Sequence, residues 1–363
     1  RRRMSTKRQH FVPQTYLKAW EGTVISSKNP DHPFTGVYYF EGDDQLGEGR
    51  NKDSVLWQPS LYTISFDQRF IGEGCPKVTK DFVNQIDELM KNRSPEPVYG
   101  KVGYSEIRNK ASIRKHLDNI DEWEFHYYDG RKARRNGILK DIYGLSSYLL
   151  EDGFDSVFET KWAGTLSSFV EQVKTHRGLH KDGKDFYVTI DPTTAYDVYA
   201  FFQMLECRSP RFDGFGILSW INDELLSAFE GETETFMQGL WYTELYRMLY
   251  MKEEGFYHAM LKSAIKKCQM VCIEAVEGEG SFITSDNPVF LNETRPPEAK
   301  DMTGYIFPIS PRYLLYMCRG QGGYNSMMLR WAGRDDIKKL NRYIYRNRDK
   351  AIVSNERELK NIL

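Results

Sequence analysis

Five polar residues of this chain could together perform hydrolytic chemistry: His10, Glu159, Gln203, Arg208 and Asp286. The carboxylates of Glu159 and Asp286 are oxygen ligands of the kind that Mg²⁺ or Mn²⁺ prefers, with His10 as a further metal ligand or as a general base. Arg208 would meet a phosphate group, and Gln203 would orient water or substrate. These residue types predict a metal-dependent phosphodiester hydrolase with nuclease-like chemistry.

The stretch Ser281–Phe290 places Asp286 where an apolar run ends, and Pro288 then stops regular strand pairing. An earlier apolar run, Met270–Val276, precedes it across a loop rich in glycine and glutamate. Two β-prone runs separated by such a loop predict a hairpin whose second strand delivers Asp286 at its end. The alternative is that Asp286 caps its own turn through an Asx hydrogen bond.

Glu159 lies on the apolar face of a helix predicted from about Asp155 to His176, one turn before Trp162. A carboxylate on a buried face is costly unless it is paired, protonated or bound to a metal. A buried ion pair with an arginine such as Arg208 is therefore the alternative to a role in a site.

Gln203 and Arg208 belong to the next predicted helix, which extends roughly from Pro192 to Cys207. Asp191 followed by Pro192 is typical of an N-cap and a first helical turn. The helix is apolar nearly all round, so most of its sides must be buried. The amide of Gln203 then needs hydrogen-bond partners, and a purely structural role is the alternative to a role in a site.

His10 stands directly before a short predicted helix whose residues Tyr16, Leu17 and Trp20 share one face. Strands are predicted at 37–40, 61–64, 186–190, 305–311, 313–317 and 351–354, and a further helix at 335–348. We expect an α+β fold, mostly helical, with a single domain of residues 4–363 around a small mixed or antiparallel sheet. The charge-rich region 79–140 predicts a charged helical insertion, and Arg1–Arg3, which precede Met4, are left out of the domain.

Composition excludes several kinds of protein. The formal net charge is −1, which supplies no overall electrostatic attraction to nucleic acid. The basic run at 131–135 predicts a solvated face in preference to a nucleic-acid patch. Five scattered cysteines fit no zinc-site spacing. No apolar run has membrane length, so we expect a cytoplasmic protein with reduced thiols.

The motifs of several enzyme classes are missing from the sequence. It contains no Gly-x-Ser-x-Gly elbow, no Walker loop, no dinucleotide fingerprint and no His-Glu-x-x-His. Ser285-Asp286 also lacks the Glu-x-Lys partner of the common restriction-type nuclease core. The hydrolase hypothesis therefore rests on the five residues themselves.

The stretch Gln9–Leu17, with its His-x-Val-Pro opening, resembles the N-terminal signature of a bacterial family called domain of unknown function 4238. The family's later motifs look like these positions, in order: Glu159, Gln203 with Arg208 and Pro210, Thr284–Pro288, Phe307–Pro311 and Asn341. The resemblance covers nearly the whole chain apart from about residues 79–140. It implies a soluble bacterial protein encoded among mobile-element or phage-defence genes.

Two alternatives to the hydrolase stay open. The same polar cluster could bind a ligand without turnover, as a recognition or sensor module. It could also be a buried salt-bridge network that fixes the packing, formed by His10, Glu159, Arg208 and Asp286. The expected partners are a nucleic-acid or nucleotide substrate and no membrane, with a homo-oligomer left open.

Overall fold

A computed structural model describes residues 8–63, 76–179, 184–212, 233–251, 253, 255–292 and 304–363. In chain order the strands are β1 (Arg8–His10), β2 (Gly22–Ser26), β3 (Asn29–Glu41), β4 (Glu48–Arg50), β5 (Trp57–Pro59), β6 (Val98–Val102), β7 (Ser105–Ile107), β8 (Glu124–Tyr127), β9 (Phe186–Thr189), β10 (Cys268–Ala275), β11 (Thr284–Ser285), β12 (Phe290–Asn292), β13 (Gly304–Pro308), β14 (Tyr313–Arg319), β15 (Ser326–Ala332) and β16 (Ala351–Ser354). The helices are α1 (Gln14–Leu17), α2 (Pro76–Lys91), α3 (Lys110–Lys115), α4 (Arg135–Phe154), α5 (Thr160–Leu179), α6 (Pro192–Arg208), α7 (Thr233–Tyr250), α8 (Phe256–Lys267), α9 (Arg334–Arg346) and α10 (Leu359–Ile362). A 3₁₀ turn (Lys18–Trp20) follows α1, and a π-helical segment (Asp155–Glu159) precedes α5.

The chain divides into two compact units. The first consists of Arg1–Pro59, Asp155–Phe212 and Tyr257–Leu363, and the second of Ser60–Phe154 and Asp213–Phe256. All five candidate site residues belong to the first unit, and the region 79–140 lies within the second. The prediction of a single domain stays a prediction.

The larger sheet of the first unit has the strand order β12-β13-β14-β10-β15-β9. Its neighbouring strands are antiparallel except for β10 and β15, which are parallel. The predicted hairpin of Met270–Val276 with the strand before Asp286 is wrong. β10 pairs with β14 and β15, whereas β11 pairs with β16 in another sheet. The hairpin prediction failed because strand propensity does not identify the partner strand.

The second sheet of this unit has the order β11-β16-β3-β2, with β4 paired to β3. Apolar residues of both sheets and of α9 form one core, which includes Val271, Phe282, Ile283, Leu314, Ile337 and Ile352. Asn341 of α9 accepts a hydrogen bond from the Ile283 amide at 3.2 Å and donates to the Ser281 carbonyl at 2.9 Å. The segment before Asp286 is therefore fixed to α9.

Two helices of the first unit, α5 and α6, pack through aromatic side chains. The Trp162 ring stacks on Phe201 with centroids 3.9 Å apart, and it also approaches Phe307 of β13. The Asp191 carboxylate accepts from the Thr194 amide at 2.8 Å, which confirms the predicted N-cap of α6. Most residues of α6 are buried, as its all-round apolar pattern predicts.

The second unit contains a three-stranded antiparallel sheet, β7-β6-β8, beside its helices. The region 79–140 therefore has strands as well as the predicted helices. Its basic run is exposed, and Arg131 pairs with Glu96 and Asp129 while Lys132 pairs with Glu124. These side chains form the solvated face that the charge pattern predicts.

The strand predicted at 61–64 is wrong over its described part, because Leu61 and Tyr62 lie in a turn. Ser60 has a φ of 57°, a left-handed conformation that interrupts a strand. The amide of Thr63 closes the turn by donating to the Ser60 carbonyl at 3.2 Å.

The mixed α+β class is confirmed, but the strands form several sheets instead of the one small sheet that we expected. Among the described helices, none combines the length and the apolar character that a bilayer crossing requires. The cysteines at positions 207, 268, 272 and 318 form no disulfide among the described residues, and Cys75 lies outside those residues.

Candidate functional site

The guanidinium group of Arg208 connects two of the predicted site residues. Its Nη1 donates to Oε1 of Glu159 at 2.5 Å, and its Nη2 donates to the backbone carbonyl of His10 at 2.5 Å. The Arg208 side chain is only 2% exposed. Because a guanidinium is a rigid planar fork, Arg208 holds Glu159 and the backbone of His10 at one point.

Three separate element ends deliver these residues. His10 ends β1, opposite Trp57 of β5, and Arg208 is the last residue of α6. Glu159 ends the π-helical segment, where the sequence predicted a regular helix from Asp155 onward. Single π-helical turns within helices occur frequently at functional sites. The element ends bring His10, Glu159 and Arg208 together from positions far apart in the chain.

The imidazole of His10 is held in one tautomer by its hydrogen bonds. Nε2 lies 3.1 Å from the backbone carbonyl of Asp53, which can only accept, so Nε2 carries the proton. Nδ1 therefore has the lone pair, and the Gln14 amide nitrogen lies 3.4 Å from Nδ1 and 3.3 Å from Nε2. Burial, together with the positive charge of Arg208, lowers the pKa of His10 below 6.5. The ring is accordingly neutral at pH 7 and can accept a proton at Nδ1.

The carboxylate of Glu159 is partly accessible. Oε1 is bound by Arg208, and the side chain as a whole is 18% exposed. The charge of Glu159 is therefore balanced without full removal from solvent, which avoids most of the cost of burying a lone carboxylate. Oε2 is the oxygen of Glu159 that does not take part in the ion pair with Arg208.

Asp286 is engaged by backbone amides. Oδ1 accepts from the amide of Asp349 at 2.8 Å, and Oδ2 accepts from Lys350 at 2.6 Å and Ala351 at 3.0 Å. Burial raises the pKa of the Asp286 carboxyl, and the three backbone donors oppose that change. Both oxygens bind amides of Asp349–Ala351, where the chain after α9 enters β16, so Asp286 caps a distant segment and not its own turn.

Gln203 also has partners of its own. Its amide nitrogen donates to Oε2 of Glu206 at 2.6 Å, one turn further along α6. Tyr305 forms a hydrogen bond with the same carboxyl group, whose pKa is raised by burial. The structure therefore places Gln203 in a buried polar pair with Glu206, which fits the structural role that the sequence left open.

The residues around Asp286 hold the N-terminal segment in place. The Tyr16 hydroxyl donates to the Pro308 carbonyl at 2.6 Å and lies 2.8 Å from the Thr284 hydroxyl. The Trp20 indole nitrogen donates to the Phe282 carbonyl at 2.9 Å. These contacts anchor α1 and the 3₁₀ turn after it to the stretch before Asp286 and to β13.

A second charged cluster in this unit was not predicted. Glu274 of β10 is 3% exposed and accepts from Arg177 at 3.1 Å, from Arg312 at 3.0 Å and from the Tyr313 hydroxyl at 3.2 Å. The Arg177 guanidinium also lies 3.9 Å over the ring of Trp331. Both oxygens of Glu274 are occupied, so this cluster acts as scaffold.

The predicted metal ligands were tested against this geometry. Within the part of the chain that the structure describes, no three His, Cys, Asp or Glu side chains are grouped so that they could hold a metal ion. Both oxygens of Asp286 already have backbone donors. A cation at this site would therefore depend on Glu159 and His10, with water or substrate oxygens completing its coordination, as is usual for Mg²⁺.

The sequence reasoning missed the two partners of the His10 ring. Gln14 lies four residues after His10, a spacing that would have suggested contact if the segment were one helix. Asp53 contributes only its backbone carbonyl, which no side-chain pattern reveals. The resulting site has a neutral imidazole, a partly exposed carboxylate and a buried guanidinium that binds the His10 backbone and the Glu159 carboxylate.

Comparison with known proteins places the chain in a family. Residues 8–358 match the family model described as "Protein of unknown function (DUF4238)". No curated protein and no solved structure shows significant similarity to this chain.

Proposed function

Since this chain belongs to the DUF4238 family, a family whose description assigns no activity, we propose from its own geometry that it hydrolyses phosphate esters at His10 and Glu159. The hydrogen bond from Nε2 of His10 to the Asp53 carbonyl, at 3.1 Å, is the observation that carries the proposal. A neutral imidazole with its lone pair at Nδ1 suits a general base near pH 7.

In the proposed reaction, Nδ1 of His10 takes a proton from a water molecule as the water oxygen bonds to phosphorus. The ester P–O bond breaks, and the leaving oxygen receives the proton from the His10 imidazolium. Arg208 holds the backbone of His10 and the carboxylate of Glu159 in fixed positions relative to each other. Oε2 of Glu159 would hold the divalent cation, Mg²⁺ or Mn²⁺. The positive charge of this cation would stabilise the negative charge on the phosphate oxygens. A role in phage defence is supported by the family resemblance alone.

Recognition without turnover is the second candidate. It is favoured by the Gln14 amide nitrogen beside Nδ1, which competes for the lone pair. It is also favoured by the ion pair of Glu159 with Arg208, because the pair as a whole has no net charge to attract a cation. A sensor could use the same atoms as hydrogen-bonding groups.

Hydrolysis of bis(4-nitrophenyl) phosphate with Mg²⁺ or Mn²⁺ tests the two candidates. We expect His10→Gln to lower kcat about 100-fold or more, because general-base catalysis contributes about that much. The matched control is His32→Gln, which removes an exposed histidine of β3. We also expect Mn²⁺ to raise the melting temperature of the wild type and not of Glu159→Gln.

The result that would overturn the hydrolase proposal is turnover that survives His10→Gln, or no turnover with either metal by the folded wild type. If His10→Gln and Glu159→Gln both unfold, and metal does not change the melting temperature of the wild type, the cluster is a salt-bridge network. Circular dichroism of each variant separates that outcome from a true loss of activity.

A further inference from the structure

A groove of about 630 Å³ extends along α5 in the first unit, beside α1 and the 3₁₀ turn. Leu166 and Val170 of α5 contribute its apolar lining, and Lys18 and Lys174 contribute positive charge. The volume lies within the range of about 300–1,000 Å³ that is usual for small-molecule sites. The groove is therefore large enough for one organic ligand.

The groove begins next to the candidate site. Glu159 and Ala163 are four residues apart and so lie on one helical face, which continues through Val170 to Lys174. On the other side, the lining starts at Thr15, directly after the Gln14 amide that lies beside His10. The walls of the groove are thus α1, which follows His10 in the chain, and α5, which follows the π-helical segment that ends at Glu159.

The charge of the groove favours an anion. Lys18 and Lys174 are both exposed, and no ion pair is recorded for either of them within the described part of the chain. Glu171 is the acidic residue of the lining, so the lysines leave an excess of one positive charge. Ser167 adds a hydroxyl group at an exposed position of the same helical face.

The apolar side chains of the lining favour a ligand that has an apolar group as well as a negative charge. Leu166 and Val170 are half-buried and present hydrocarbon surface, on which a flat ring could pack. A ligand that combines a ring with a phosphate group satisfies both parts of the lining, whereas inorganic phosphate would leave the apolar residues in contact with water.

We propose that this groove binds a nucleotide, with its phosphate groups on Lys18 and Lys174 and its base on Leu166 and Val170. This proposal stands apart from the proposed function, because Lys174 lies 15 residues beyond Glu159, a distance of about 22 Å along a helix axis. Binding itself depends on the groove alone.

The test measures binding of ATP, AMP, adenosine and inorganic phosphate by calorimetry to the full chain carrying His10→Gln, with EDTA present. We expect saturable binding of ATP and AMP, and weaker binding of adenosine and of phosphate. Adding Lys18→Gln and Lys174→Gln should weaken ATP binding by about tenfold or more, because each lysine makes a charge-assisted contact. Lys161→Gln, an exposed lysine elsewhere on α5, is the matched control and should change affinity less than about twofold.

Ser167→Trp provides a second variant that fills the groove without changing its charge. Because Ser167 is exposed, this change should leave the fold intact and abolish ATP binding. The proposal is overturned if the nucleotides show no saturable binding, or if Ser167→Trp and the double lysine variant bind ATP as well as the parent does.

The outcomes also separate this proposal from the hydrolase proposal. Nucleotide binding by a wild-type chain that hydrolyses no ester would support the groove and remove the proposed activity. Ester hydrolysis with an unchanged KM in the double lysine variant, together with no ATP binding, would support the activity and remove the groove.

Discussion

At the scale of single residues, Arg208 determines how the candidate site is arranged. The sequence suggested that this arginine would meet a phosphate, but its terminal nitrogens bind Glu159 and the His10 carbonyl. A buried guanidinium with two protein partners orients other groups and cannot easily turn toward a ligand. In the proposed hydrolysis, the groups left to act on a substrate are then the Nδ1 of His10 and the Oε2 of Glu159.

Arg208→Met should destabilise the protein strongly, because Glu159 would lose its counter-charge and the His10 carbonyl would lose its donor. Breaking a buried pair by removing one partner costs about 3–5 kcal/mol, and the lower end applies here since Glu159 is 18% exposed. Urea unfolding measures this change. The double variant with Glu159→Gln should recover part of the loss, and a loss equal to the sum of the two single variants would contradict a direct ion pair.

The folded-state pKa of His10 makes its contribution to stability depend on pH. Burial lowers this pKa below 6.5, so the native state favours the neutral ring and the unfolded chain takes up the proton first. The contribution is therefore complete above pH 6.5 and is lost as the pH falls through the lower folded-state pKa.

Unfolding free energies of the wild type and of His10→Gln from pH 5 to pH 8 test this dependence. We expect the difference between the two proteins to be constant above about pH 6.5 and to shrink below it. His32→Gln controls for the loss of any histidine. A difference that grows as the pH falls would mean that the native state prefers the charged ring.

At the scale of elements, the motif around Asp286 acts as a junction. Thr284 contacts Tyr16, and Asp286 binds three amides between α9 and β16. The sequence predicted a strand with Thr284, Ser285 and Asp286 at its end, and the structure has the two-residue strand β11, Thr284–Ser285, directly before Asp286. The sequence could not predict that residues 349–351 are the partners, because an alternating apolar pattern specifies which face is buried but not which strand lies alongside. The Asp191 cap of α6 was predictable because its partner lies three residues away.

Tyr16→Phe tests the anchoring of α1. The Tyr16 ring is fully buried, and removal of its hydroxyl leaves the Pro308 carbonyl without this donor and the Thr284 hydroxyl without this partner. An unsatisfied buried polar group costs about 1–3 kcal/mol. Urea unfolding should show a loss of this size, whereas Tyr196→Phe, which changes an exposed tyrosine of α6, should show almost none. Equal effects of the two variants would contradict the anchoring role.

At the scale of the whole molecule, composition predicted the class of fold better than its organisation. Apolar content and the helix and strand patterns gave an α+β protein, which the structure confirms. The number of sheets and the meeting of His10 with Glu159 depend on contacts about 150 residues apart in the chain, and no local signal encodes these contacts. The π-helical segment was unpredictable for another reason, since no residue type in Asp155–Glu159 distinguishes a π-helical turn from an α-helical one.

The overall charge leads to a last prediction, about long nucleic acids. The chain has a net charge of −1, and its most basic run is matched by acidic partners, with Arg131 on Glu96 and Asp129 and Lys132 on Glu124. These exposed pairs add little stability, but they cancel the field that would attract a phosphate backbone. We expect no binding of a random DNA duplex at about 0.15 M salt, measured by fluorescence anisotropy.

The variant that combines Glu96→Gln with Asp129→Asn tests the reason for this expectation. It leaves the exposed Arg131 without these two acidic partners and raises the net charge by two. Weak binding of the DNA duplex at low salt should then become measurable, and it should fall steeply as salt is added. Lys161→Gln is the control for a charge change on another surface. Tight duplex binding by the wild type at physiological salt would contradict this account, and it would favour a nucleic-acid substrate over the nucleotide proposed for the groove along α5.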